Sequence, residues 1–141
     1  MTEPYAFDNI FARIIRGEIP AHRVYDDEDH IVMMDIFPQS RGHMLVIPKA
    51  ASRNILDAEP ETLSSTIALV QKVATAAKSV LGADGVRIMQ FNESVAGQTV
   101  FHLHFHVIPV YAGVETGRHG EGRADDSELA AIAASISKAL Q

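Results

Sequence analysis

Three of the chain's seven histidines stand at alternate positions in Phe101-His102-Leu103-His104-Phe105-His106-Val107-Ile108-Pro109. Near neutral pH, imidazole can act as nucleophile, acid, base or metal ligand. Polar and apolar residues alternate strictly here, which predicts a half-buried strand. Successive strand side chains point to opposite faces, so His102, His104 and His106 share one face. Phe101, Leu103, Phe105 and Val107 share the other and face the core. Alternate residues lie roughly 6.6 Å apart along a strand, so the rings are neighbours without being forced into contact.

Just before them comes a polar loop, Asn92-Glu93-Ser94-Val95-Ala96-Gly97-Gln98-Thr99. Gly97 permits a backbone turn that other residues resist. Asn92, Gln98 and Thr99 offer amide and hydroxyl groups at the mouth of the histidine strand. Three chemistries are open. A metal site suits imidazole, but the outer pair on one strand would be about 13 Å apart, a poor focus for one tetrahedral ion. A structural reading pairs each ring with backbone groups. The third is covalent phosphoryl or nucleotidyl transfer: a neutral imidazole attacks phosphorus, and neighbouring donors hold the oxygens as charge develops.

Several elements must position this ribbon. Phe7 to Gly17 predicts a short helix capped by Asp8 and ended by Gly17, with Ile10, Phe11, Ile14 and Ile15 on one face. That face either seals the core or lines a flat ligand pocket. His22–Asp26 and Ile31–Ile36, around Asp27-Glu28-Asp29, predict an antiparallel hairpin, with His22 and His30 as solvated flanks. Asp35 is an acid in an apolar strand end, either exposed near the turn at Pro38 or functional. His43 to Lys49 predicts a central strand. Pro60 opens a long helix with Leu63, Ile67, Val70, Ala74, Ala77 and Leu81 as its apolar face, and Gly82 stops it. Val86–Phe91 alternates as a strand antiparallel to the histidine ribbon. Residues 113–124 read as a mobile tail rich in Gly and charge. Asp125-Asp126-Ser127-Glu128 resembles a capping box opening a C-terminal helix over 125–141 packed by Leu129, Ile132, Ile136 and Leu140.

At 141 residues the chain is expected to be a single α+β domain, with its core over about 7–110. A net charge of −6 argues against a nucleic-acid footprint, since no excess of Lys and Arg exists to displace phosphate counterions. With no cysteine, neither disulfides nor a thiolate zinc site can hold the fold. No apolar run is long enough to span a bilayer, and Met1-Thr2-Glu3-Pro4 lacks the features of a secretion signal. A cytoplasmic protein without nucleic-acid or membrane partners is expected.

His102-Leu103-His104-Phe105-His106-Val107-Ile108 resembles the signature of the histidine triad (HIT) superfamily. Asp8 to Pro20, Met34–Gln39, Gly42–Lys49 and Ala96–Val100 are similar to family segments in the family's order. The N-terminal pattern resembles the histidine triad nucleotide-binding, purine phosphoramidase-like branch. The resemblance implies an antiparallel sheet of about five strands with a short N-terminal helix, a long central helix and a C-terminal helix, the sheets joined across a homodimer. It implies cleavage of AMP or GMP conjugates through a nucleotidyl-histidine. His104 matches the nucleophile and His106 the phosphate-contacting histidine. His102 and His43 match supporting histidines. Asn92, Gly97, Gln98 and Thr99 match the phosphate-side loop, and Asp35 the carboxylate that meets the ribose. Ile10, Phe11, Ile14, Met33 and Ile36 match the slot for the base. Many bacterial relatives hold a structural zinc with two cysteines near the first helix, a histidine after the Pro-Lys segment and the signature's first histidine. Asn9, Ala12 and Ala51 stand at the first three places, so neither metal nor cofactor is expected. Dinucleoside polyphosphate hydrolysis and non-catalytic nucleotide binding remain as alternatives.

Overall fold

A computed structural model describes residues 4–117 and 122–141. Helices α1 (Ile10–Ile15), α2 (Pro60–Leu81) and α3 (Asp126–Leu140) accompany strands β1 (Arg23–Asp26), β2 (His30–Met34), β3 (Met44–Pro48), β4 (Gly85–Met89) and β5 (Phe105–Val110). The strands form one sheet in the order β1-β2-β3-β5-β4, antiparallel at each pairing. Among the described residues, no helix is long and apolar enough to cross a membrane.

The sheet is covered on both faces, which explains the nearly continuous apolar runs of β2 and β3. Val32, Met34, Met44, Val46, Phe105 and Val107 pack against α2 and α3. Ile31, Met33, Leu45 and Ile47 pack on the opposite side against Phe11 and Ile14 of α1. β1 and β2 form the expected hairpin, closed where Asp27 Oδ1 accepts from the backbone N–H groups of Asp29 and His30. Proline opens α2 and Gly82, at φ 68°, ends it in the left-handed region. Asp125 caps α3 by accepting from the Glu128 N–H, and Leu129, Ile132 and Ile136 are buried as expected.

Four local expectations are corrected. The strand does not run through the whole histidine ribbon: β5 begins at Phe105, and residues 101–104 are irregular. Asn9, not Asp8, caps α1, its Oδ1 accepting from the Ala12 N–H. The buried stripe of α2 runs through Thr66, Leu69, Val70, Val73, Ala76 and Ala77, leaving Ile67 52 % exposed. His30 is buried rather than solvated, its Nε2 lying 3.0 Å from Thr66 Oγ1. His22 is half-buried and pairs with Asp126 at 2.9 Å. The segment read as mobile contains residues 118–121 and thus His119, which lie outside the described residues. Its flanks donate to the loop after β2, Gly117 N–H to Gln39 O at 2.6 Å and Ala124 N–H to Ile36 O at 2.9 Å.

Candidate active site

Leu103 is wholly buried among the residues under α2, and its N–H donates to Ser52 O at 3.0 Å. Burial of such a side chain contributes about 1.5–3 kcal/mol, so the peptide between His102 and His104 is anchored. The alternation therefore survives although the ladder does not: Leu103, Phe105 and Val107 face the helices.

The hydrogen bonds assign a tautomer to each ring, because the nitrogen that donates fixes the role of the other. His102 Nε2 lies 2.7 Å from Pro48 O, a pure acceptor, so Nε2 carries the proton. Its Nδ1 then accepts from the Tyr5 hydroxyl. Burial pushes the His102 imidazole below its ordinary pKa, against the opposing pull of the Pro48 carbonyl, and burial raises the Tyr5 phenol. His104 Nδ1 donates to the backbone carbonyl of His102 at 2.7 Å, which places a lone pair on Nε2. Gln39 N–H donates to His43 Nδ1 at 3.0 Å, so His43 bears its proton on Nε2. That proton faces His106 Nδ1 at 2.9 Å, and His106 is left as an Nε2–H donor. The rings of His104 and His106 are 5.1 Å apart. A nucleophile-type nitrogen thus stands beside a donor-type nitrogen.

Two clefts lie beside this pair, one lined by both rings and the other reaching it through Phe11. One, of about 240 Å³, is lined by His104, His106, Gly97 and Thr99 with Gln39 and Phe91. The other, of about 260 Å³, is lined by Ile10, Phe11, Ile14, Met33, Asp35 and Ile36 among others. They touch where Phe11 packs edge-on against His104, with ring centres 4.8 Å apart. Asp35 is buried, which overturns its exposed alternative. Its Oδ1 accepts from the Phe37 N–H at 2.8 Å and its Oδ2 lies 3.5 Å from His43 Nε2.

The loop over the first cleft is held from behind. Glu93 has φ 79° and ψ 155°, a region that is essentially glycine's and costs a side chain about 1–3 kcal/mol. Its carboxylate accepts from Arg53 Nε and Nη2, both at 2.9 Å, and from Asn54 Nδ2 at 2.7 Å. Arg53 also stacks over Phe101 at 4.1 Å. A 3₁₀ turn over Ser94–Ala96 follows, ended by Gly97 at φ 107°. Two of the expected loop residues spend their side chains inside the protein. The Gln98 amide bonds Arg53 O, Val100 O, Asn54 Nδ2 and Glu93 N. Asn92 bonds Ile55 N and Gln90. Gly97 and Thr99 line the cleft; Asn92 and Gln98 brace its wall. Sequence reasoning gave no role to Tyr5, Gln39, Arg53 or Asn54, and only a strand position to Phe91. Arg53 and Asn54 follow the Pro-Lys segment and could have been suspected as polar residues in a loop with an apolar end. Nothing local marks Tyr5, which lies 97 positions from its partner.

Metal binding can be tested on these bonds. Asp35, His43 and His106 bring ligand atoms within 4.8 Å of one another. A cation on His43 Nε2 would need that nitrogen bare while Gln39 N–H already occupies the other, so the trio fits a hydrogen-bond relay. At the zinc position implied by the family resemblance, Ala12 and Ala51 offer no ligand and both His102 nitrogens are engaged. The residues present do not fit that metal.

Residues 16–113 match the HIT domain. The fold superposes with a TM-score of 0.89 on a HIT-like protein involved in cell-cycle regulation from Bartonella henselae, which is 50 % identical; the match covers 96 % of this chain and 99 % of that one. A zinc-bound histidine triad family protein from Mycobacterium smegmatis superposes with a TM-score of 0.83 at 36 % identity, covering 95 % and 94 %. The adenylylsulfatase HINT3 of Arabidopsis thaliana is 33 % identical over 102 residues, 72 % of this chain and 52 % of that protein.

Proposed function

Because this chain belongs to the HIT family of hydrolases and nucleotide-binding proteins, we propose that it cleaves nucleoside 5′-monophosphate conjugates of the phosphoramidate type through a nucleotidyl-His104 intermediate. The observation that carries this reading is the bond from His104 Nδ1 to the His102 carbonyl, which makes Nε2 the attacking nitrogen.

In the first step the His104 Nε2 lone pair forms a bond to phosphorus. The bond from phosphorus to the leaving nitrogen breaks, and the amine leaves with a proton taken from solvent. His104 becomes a cationic N-phosphoryl imidazolium whose Nδ1–H still points at a carbonyl, and a hydrogen bond from a cation is stronger than one from a neutral ring. The His106 Nε2–H, with the Gly97 and Thr99 side of the loop, holds the phosphoryl oxygens as charge develops. Water then attacks phosphorus, the bond from phosphorus to Nε2 breaks, the proton lost by the water passes to solvent, and His104 returns to its neutral tautomer. The apolar cleft takes a purine, AMP or GMP type, and Asp35 accepts from the ribose hydroxyls. An adenylylsulfatase among its relatives supports a nucleoside monophosphate as the transferred group.

The active species is a homodimer. β4 ends the sheet, and its exposed Ile88 suits a second copy that extends the sheet across the pair.

The test is a His104→Asn variant assayed with adenosine 5′-phosphoramidate. Turnover is lost while AMP binding, measured by calorimetry, is retained, and rapid quenching of the wild type traps one nucleotidyl group per chain on His104. Turnover by the variant at the wild-type rate refutes the nucleophile.

A further inference from the structure

We propose that Tyr5 is a positioning residue: its hydroxyl clamps the His102 ring so that the His102 carbonyl holds His104 in its attacking tautomer and direction. This rests on His104 being the nucleophile.

The need for a clamp follows from where the sheet stops. β5 begins at Phe105, so neither His102 nor His104 has ladder bonds to fix its peptide. Yet the carbonyl that aims His104 belongs to His102. Side-chain bonds must do what the ladder does elsewhere. The His102 ring is 1 % exposed and lines neither cleft, so it does not meet substrate. It is gripped at two points instead, Nε2–H on Pro48 O at the end of β3 and Nδ1 under the Tyr5 hydroxyl. A ring held at both nitrogens cannot rotate, and with Leu103 N–H on Ser52 O the peptide bearing the carbonyl is fixed from both sides. Without Tyr5, a buried acceptor nitrogen loses its donor, a cost that turning the ring relieves.

Tyr5 is itself aimed. It stacks edge-on against Phe7 with ring centres 4.8 Å apart and against His102 at 5.6 Å. The segment bearing it is tied to α1 by Asn9 Nδ2 on Ala6 O at 2.8 Å and Arg16 Nη1 on Phe7 O at 2.7 Å. The N-terminal strap thus occupies the imidazole that the family's zinc pattern assigns to metal, at a place where this chain lacks the other ligands.

The test is Tyr5→Phe, which keeps the ring and removes only the oxygen. With adenosine 5′-phosphoramidate, kcat falls on the order of tenfold or more, the scale of a misaimed nucleophile, while KM stays within about twofold. In ¹⁵N spectra of the imidazoles, the His102 Nδ1 resonance moves toward that of a nitrogen without a donor, and the His104 Nδ1–H resonance moves with it. Removal of residues 1–6 reproduces both changes. An unchanged kcat, or a His104 resonance that does not move, overturns the proposal. If the wild type does not turn over the phosphoramidate, the functional reading fails and the spectra alone decide the clamp.

Discussion

His43 touches neither cleft, yet its loss should cost most of the rate. Gln39 N–H occupies its Nδ1, and the Nε2 proton is thereby committed to His106 Nδ1. In His43→Ala, His106 Nδ1 loses its donor, and the ring satisfies the site by moving its own proton to Nδ1. The nitrogen presented to the phosphoryl group then has a lone pair where a donor stood. Losing one donor to a developing oxyanion costs about 10²–10³ in kcat, or roughly 2.7–4 kcal/mol. The loss falls on kcat more than on KM, because the bond strengthens as charge builds. His43 is wholly buried, so truncation also lowers stability by about 2–5 kcal/mol through the cavity. Activity is therefore measured well below the melting transition, with circular dichroism confirming the fold. His43→Gln separates the two effects. An amide can accept from Gln39 N–H and donate to His106, so this variant recovers part of the rate, which a packing account does not require. A folded His43→Ala enzyme within about threefold of wild type, or ¹⁵N spectra showing His106 still protonated at Nε2, refutes the relay.

Two further outcomes are expected. Asp35→Asn keeps an acceptor for Phe37 N–H but loses the charge proposed to meet the ribose, so KM for a ribonucleotide conjugate rises on the order of tenfold. A 2′,3′-dideoxy conjugate is indifferent to the change, and an equal effect on both substrates removes the ribose role. The Arg53 hydrogen bond holds the Glu93 carboxyl below its ordinary pKa. A depressed folded-state value means the stabilisation is fully present above the unfolded-state pKa and is lost as pH falls through the folded one. Wild type should thus lose more stability than Glu93→Gln as pH drops below about 5, and parallel denaturant-midpoint profiles would remove the ion pair from that role.

Local sequence codes carried most of the fold. The proline start and glycine stop of α2, the cap of α3 and the β1–β2 hairpin are short-range signals, and each was legible. The stripe of α2 was misjudged because alanine and threonine packing against a sheet leaves little hydrophobic contrast. Ile67, an isoleucine on the exposed side, drew the expected face around the helix. His104 and His106 line one cleft, and Asp35 lines the apolar one. What no local pattern shows is the division between groups that meet the cleft and groups that brace it. Gln98 and Asn92 carry the same functional groups whether they face ligand or Arg53 and Ile55. Tyr5 is invisible for a related reason: its partner is fixed by the tertiary fold, not by spacing.

The three signature histidines look equivalent in sequence, and on one uninterrupted strand they would be. The sheet ends between the second and third. His106 stays on β5 and accepts a hydrogen bond at Nδ1 from the His43 ring, which keeps its own proton on Nε2. His104, just outside the strand, can bend its Nδ1 back onto the carbonyl two residues earlier, a bond from side chain to near backbone that a fully extended, paired ribbon disfavours. His102 turns from the cleft to grip Pro48 and Tyr5. Ending the ladder at Phe105 thus gives three like residues different bonding: an anchor, a ring with its lone pair on Nε2, which is the proposed nucleophile, and a donor. The apolar residues between them keep their face buried throughout, so this irregularity does not forfeit the core. A substitution that extended β5 back to His102 would leave every histidine in place and still remove the bond that sets the His104 tautomer.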